Sequence, residues 1–312
     1  MRIYILLLFV IAAFFKAEAQ SRILPVTESP TSPKSLSLGN SKMGNIDNAF
    51  IYNNPIALFY STSKAVDYSL GIIPSESENT YLLHTLTTAY RNGKSAFFVG
   101  GRYLSMGSFD NWLNNDMEEN STLGKIKFYS YTIDLGYAYK LNEAFSFYST
   151  VGYVKEKTVA SIWAYRVDLG SYYNGNGNLF NKDVTYSVGI SAGNFGKYSY
   201  KSKTDFLSPN VRLGGSIMIP TASNQTIETF LDGGVFLPVA DNKSTSFISI
   251  GFDYSFFKKY SLRIGGHSGD NDDFFSAGFG VKYKIFDFSF GSKIVLRKDL
   301  ENMYMLGLKV EI

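Results

Sequence analysis

From Ala65 to the end of the chain, large apolar residues alternate with small or polar ones at a period of two. Val66, Tyr68, Leu70 and Ile72 alternate with Asp67, Ser69 and Gly71. Between Lys127 and Lys140, Tyr129, Tyr131, Ile133, Leu135, Tyr137 and Tyr139 share one face, and Ser130, Thr132, Asp134, Gly136 and Ala138 share the other. At the end of the chain, Tyr304, Leu306, Leu308, Val310 and Ile312 oppose Met305, Gly307, Lys309 and Glu311. Successive side chains of a strand point to opposite sides, so each stretch predicts a strand with one greasy face and one small or polar face.

Short turns are expected at 91–94, 141–144 and 256–259, and longer polar loops near 105–124, 172–183, 196–208 and 266–273. Tight turns at one end and long loops at the other are the arrangement of outer-membrane barrels. The segments predict an all-β fold, an antiparallel transmembrane β-barrel over 65–312 with about 14 strands, each near the length a tilted strand needs. A soluble sandwich or lipocalin-like barrel would show the same period with its apolar side inward. The faces opposite the large residues are mostly Gly and Ser, too small to fill such a core, so the membrane arrangement is the expectation.

Residues 21–64 lack this period. Pro25, Pro30, Pro33 and Pro55 interrupt a Ser-, Asn- and Gly-rich stretch in which Leu36, Leu38, Met43, Ile46, Phe50, Ile51, Ile56, Leu58 and Phe59 are scattered. This predicts an N-terminal arm or hatch of small turns. Before it, Arg2, the apolar run Ile3 to Phe15 and Ala17-Glu18-Ala19 predict a cleaved signal peptide over 1–20. That run is shorter than the roughly 20 residues a spanning helix needs. The expected location is the bacterial outer membrane, with its lipid as a partner.

Composition sharpens this reading. The chain holds 23 Tyr, 26 Phe and 28 Gly, but only 18% charged residues, against about 25% in ordinary soluble domains. Its mean hydropathy is still only -0.06, which is what an apolar face backed by a polar one produces. The net charge of +3 comes without a basic tract, so nothing supports a nucleic-acid partner. With no cysteine, disulfides, thiolate metal sites and a cysteine-linked lipid anchor are excluded.

Little in the chain suggests catalysis. His84, in Tyr81-Leu82-Leu83-His84-Thr85, is expected at the lumen or an interface, and His267 in a loop. A rim-located hydrolase needs a His beside a Ser or carboxylate, and no Gly-x-Ser-x-Gly motif occurs. No enzyme activity and no cofactor are expected. Asp270-Asn271-Asp272-Asp273 and Asp116-Met117-Glu118-Glu119 offer oxygens suited to calcium, but without the spacing of a calcium loop. Solvated outer loops and no metal are expected there. Asp67, Arg102, Asp134, Lys155, Arg212, Asp253, Arg263, Lys282 and Lys309 are expected to face the lumen, pair across strands and hold the arm.

Residues 35–58, with Gly39, Gly44, Asp47 and the run Asn54-Pro55-Ile56-Ala57-Leu58, resemble the N-terminal signature of the PorV/PorQ family, which belongs with the FadL-like outer-membrane transporters. That signature has a small-residue, Gly-rich start, an acidic residue, and an aromatic before Asn-Pro-Ala-x-Leu. Here Ile56 is an insertion, and Leu38-Gly39-Asn40 stands where Gly-Met-Gly is usual. Gly101-Arg102-Tyr103-Leu104, Asp134 to Leu141 and Tyr260 to Gly266 are similar to later family strands. The resemblance implies a 14-stranded barrel with a hatch in its lumen. It also implies an accessory role in type IX protein secretion, with exported cargo or secretion-system proteins as partners. The alternative is FadL-like uptake of a hydrophobic small molecule.

Overall fold

The computed structural model of the chain describes residues 24–75, 79–110, 125–179, 181–201, 203–239, 244–269, 272–297 and 300–312. The expected signal peptide and the acidic stretch at 116–119 lie outside these residues. Fifteen strands are described: β1 (Lys64–Ile73), β2 (Tyr81–Asn92), β3 (Ser95–Asp110), β4 (Lys125–Lys140), β5 (Phe145–Lys157), β6 (Ser161–Leu179), β7 (Lys182–Tyr200), β8 (Lys203–Phe206), β9 (Asn210–Ala222), β10 (Gln225–Phe236), β11 (Thr245–Phe256), β12 (Tyr260–Gly269), β13 (Phe274–Tyr283), β14 (Phe286–Val295) and β15 (Met303–Glu311). β1 pairs with β15 and β6 with β7, so the antiparallel sheet closes on itself. Short β8 only folds back on the end of β7, which leaves a ring of 14 strands. Closure leaves the ring no free edge, which is what lets strands cross a bilayer without unpaired backbone.

The two faces are inverted relative to a soluble protein. Ile133 and Leu135 are 56% and 54% exposed on the outside, while Asp134 between them is 1% exposed inside. Tyr103, Trp163 and Tyr165 stand on the outer wall toward one end of the strands, and Tyr137, Tyr139, Phe147 and Tyr260 toward the short turns. Aromatic residues at both ends of an apolar band are the belts of an outer-membrane barrel.

Several expected loops are strand. β6 and β7 pair as far as Leu179 opposite Lys182, so 172–183 is a long hairpin. Asn and Gly there do not forbid it, because a ladder uses only backbone groups, and outside an apolar band both faces can be polar. Most of 196–208 is the β7–β8 hairpin, β3 runs to Asp110, and β12 runs to Gly269. Lys155 is a further correction. It lies opposite Tyr131 and Trp163 on the outer wall, because the buried neighbour Val154 takes the inward position opposite Thr132. A shift of one residue reverses the face.

The N-terminal segment consists of a short helix, Pro33–Ser37, and 3-10 turns at Pro25–Thr27, Phe50–Tyr52 and Pro55–Tyr60. Leu38 lies against Gly251 of β11 and Gly265 of β12, Met43 against Gly189 of β7, and Ile51 against Gly100 of β3 and Gly136 of β4. One segment can touch such distant strands only from inside the ring. Pro33 to Gly39 rests in a trough where Gly251, Gly265, Gly278, Gly291 and Gly307 of five consecutive strands remove side chains from the inner wall. A Cβ on Gly265 would stand 2.2 Å from the Gly39 nitrogen.

Candidate functional site

Strand direction divides the lumen into three layers. Nearest the short turns, Phe50, Ile51, Ile56, Ala57, Leu58 and Phe59 pack on Ala65, Ala89, Ala96, Phe98 and Ala138 as an apolar seal. Small wall residues leave the room that the segment fills. Within the expected motif, the Asn54 side chain accepts from Ile56 N at 3.0 Å and donates to Gly44 O at 2.7 Å. Pro55 opens the turn that Asn54 caps, and Ala57 and Leu58 are buried in the seal. Asn54→Ala is therefore expected to destabilise the docked segment by about 1 kcal/mol for the cap, seen as faster amide exchange over 54–60.

Asp47 joins this segment to the wall. It accepts from Lys34 Nζ at 2.6 Å and Lys309 Nζ at 2.9 Å. Although burial favours its protonated form, the two ammonium groups hold the Asp47 carboxyl well below the usual range. Burial likewise opposes charge on Lys34, yet chiefly Asp47 keeps its pKa above the ordinary value. Asp67 also faces inward and accepts from Asn48 Nδ2 at 3.3 Å. Arg263 donates to Asp253 at 2.8 Å, a buried pair between β12 and β11. Lys282 reaches Glu311 at 2.6 Å.

The middle layer is polar and holds a cavity of about 80 Å³ between the segment and β3, β5, β6, β7 and β9. Arg102 donates to Ser29 O at 2.7 Å and lies 5.3 Å from the Tyr52 ring. Tyr52 donates to Asp134 at 2.7 Å. Arg166 bridges Asp134 at 2.9 Å and Asp168 at 2.6 Å. Arg212 sits 3.8 Å from Asp232, whose carboxylate accepts the backbone N–H groups of Lys42 and Met43. Burial first, and Arg212 next, push the Lys42 ammonium down to about 7.

At the far end Leu83, Leu104, Val154, Ala164, Met303 and Met305 turn inward and pack on Leu24, Val26 and Leu36 of the segment. Met106 joins this layer. There β3 is irregular: its ladder with β2 stops at Ser105, and its register with β4 shifts between Ser105 and Ser108. Gly107 takes φ +88° at the shift, which suits glycine. Asn79 Nδ2 closes over it with a 3.3 Å bond to Ser108 O.

Of the expected lumen residues, the fold brings Arg102, Asp134 and Arg212 around the cavity and groups Asp67, Lys282 and Lys309 nearer the seal. His84 is a correction: Leu83 is the buried neighbour, so His84 stands on the outer wall and bonds the Tyr68 hydroxyl at 2.8 Å. His267 lies in β12, stacked on Phe247 and Phe274. Asp273 accepts from Ser268 of β12 and Asp272 pairs with Lys293 of β14, so both tie the β12–β13 connection to neighbouring strands, while Asp270 and Asn271 lie outside the described residues. Sequence reasoning missed Lys42, Arg166, Asp168 and Asp232. Arg166 and Asp168 did carry a signal, as inward partners of Tyr165 and Val167 in an alternating run.

No protein-family profile and no curated protein matches the chain. Solved structures do. The Ralstonia pickettii toluene transporter TbuX aligns with a TM-score of 0.61 at 13% identity, over 90% of this chain and 98% of that one. The Pseudomonas putida toluene transporter TodX gives 0.58 at 10%, over 95% and 98%. A Pseudomonas aeruginosa FadL homologue gives 0.53 at 12%, over 95% and 100%. At such identities the likeness concerns the fold alone: the chain forms a closed barrel like those of these three proteins.

Proposed function

We propose that this chain takes up small hydrophobic molecules across the outer membrane. The observation that carries the reading is the apolar layer inside the far end of the lumen, beside the irregular stretch of β3. A water-filled pore would line that end with polar groups. An apolar molecule entering there displaces Leu24 and Val26 at little cost, since apolar contacts replace apolar contacts. It cannot continue straight through. The cavity below is smaller than the ~150 Å³ void that accepts benzene, and it is polar. The irregular stretch of β3 is where a sideways route to lipid would open once the Asn79 bond to Ser108 is released, and such a route avoids burying an apolar molecule among charges. The toluene transporters of the same fold support this reading. No observation on the chain favours the accessory secretion role over uptake.

The test is toluene uptake by cells that express the chain, against cells that lack it and cells with Met305→Asp. Met305 is fully buried in the apolar layer, so a carboxylate there should cut uptake about tenfold or more, an isolated buried charge costing several kcal/mol. Met305→Leu should retain uptake. Equal uptake with and without the chain would remove the proposal.

A further inference from the structure

Around the middle cavity, buried cationic donors without a hydrogen-bond partner outnumber buried carboxylate oxygens without one. Its cations are Lys42, Arg102, Arg166 and Arg212. Four carboxylates stand near them, so the feature is not net charge. Those carboxylates are already engaged. Asp168 accepts from Arg166 at 2.6 Å, Asn194 N at 2.7 Å and Thr150 at 3.1 Å. Asp134 accepts from Arg166 and Tyr52. Glu28 accepts from Asn194 Nδ2 at 3.1 Å, and of these carboxylates only Asp232 has a buried oxygen, Oδ1, without a hydrogen-bond partner. Against that one free carboxylate oxygen, Arg102 Nε, Arg166 Nε and Arg212 Nη1 have no hydrogen-bond partner, Arg212 Nη1 keeping only its 3.8 Å ion-pair contact with Asp232, and Arg102 is 3% exposed. A buried donor left unpaired is costly, and more so when charged. Three such donors on residues that line one void fit a site whose acceptor is supplied from outside the chain.

We propose that this cavity binds a small oxyanion, held by the guanidinium groups of Arg102, Arg166 and Arg212 and closed over by Lys42 from the N-terminal segment. Guanidinium groups match the two oxygens of such an anion in paired, charge-assisted bonds. The volume admits an anion of a few heavy atoms. Lys42, faced by Arg212, Arg102, Arg166 and Glu28, is depressed to about 7 by burial and then by Arg212, so an anion would relieve crowding among cations. The oxyanion can be free or can form the charged end of a larger molecule. The proposal is independent of uptake, because it fails on binding and uptake fails on toluene.

Calorimetric titration of the detergent-purified full chain with acetate, inorganic phosphate and benzoate tests it. Saturable binding of acetate or phosphate identifies a free anion, and binding of benzoate alone identifies the charged end of a larger molecule. In either case Arg212→Gln should weaken binding at least tenfold. Lys42→Met, on the segment side, should also weaken it and serves if Arg212→Gln fails to fold. Absence of binding by all three anions overturns the proposal, as does equal binding by wild type and both variants.

Discussion

Replacing Gly265 with leucine is expected to drive the N-terminal segment out of its seat and open the lumen. The new Cβ would stand 2.2 Å from the Gly39 nitrogen and 2.5 Å from the Leu38 carbonyl carbon. Both are backbone atoms, so no change of rotamer in a neighbour relieves the contact. Gly39 cannot retreat into the wall either, because it already lies against the Gly266 and Ile250 carbonyls at φ +72°. Overpacking a core costs about 1–3 kcal/mol even where side chains can adjust. A loss of about 3 kcal/mol raises the undocked fraction roughly a hundredfold, at a factor of ten per 1.4 kcal/mol. Planar-bilayer conductance and protease cleavage within 24–60 should both rise together. Gly101→Leu is the control, because Gly101 faces outward and its added Cβ meets nothing nearer than 3.8 Å. A closed, protease-resistant Gly265→Leu barrel would show that the glycine trough does not seat the segment.

That trough shows which parts of the structure were legible in the sequence. The run from Lys127 to Lys140 displays its two faces without help, because lipid demands large residues outside and the ring demands small ones inside. The Gly and Ser positions on the inner faces were visible, but their purpose was not. Gly251, Gly265, Gly278, Gly291 and Gly307 become a trough only once five strands are in register. Parity was the weak point. Lys155 lies in an alternating strand, but its face follows only once the pairing partner is known, and Val154 opposite Thr132 decides it. The polar composition of 172–183 reads as a loop, yet backbone pairing continues through it. The motif around Asp47 and Asn54 was legible as a motif. Its partners were not, since Lys309 lies 262 residues away and nothing local in either stretch names the other.

Lys309→Met should have the largest effect of any single charge removal in the wall. Lys309 lies in β15, where the last strand meets the first, and its register partners are Asp67 on β1 and Asp287 on β14. Its fully buried ammonium also bonds Glu311 at 2.8 Å and Asp47 of the segment at 2.9 Å. One cation therefore stands among four carboxylates and links the seam of the barrel to the segment inside it. Removing one member of a buried ion pair costs about 3–5 kcal/mol, because the partner stays buried and uncompensated. The heat-induced shift of folded barrel to unfolded chain on a gel should move to lower temperature, and segment amides should exchange faster. Asp47→Asn should loosen the segment while leaving the seam, since Lys309 keeps Glu311. The acid response separates the two contributions. Lys309 and Lys34 hold Asp47 below its ordinary pKa despite burial, so its stabilisation is complete above the unfolded value of about 3.9 and is lost as pH falls through the lower folded value. Segment protection should thus be insensitive to Asp47 between pH 5 and 7, on the order of one unit or more above that range, and fall only in stronger acid. Asp47→Asn should abolish that acid step. If the step persists unchanged in Asp47→Asn, another carboxylate at the seam, and not Asp47, is what ties the segment to the wall.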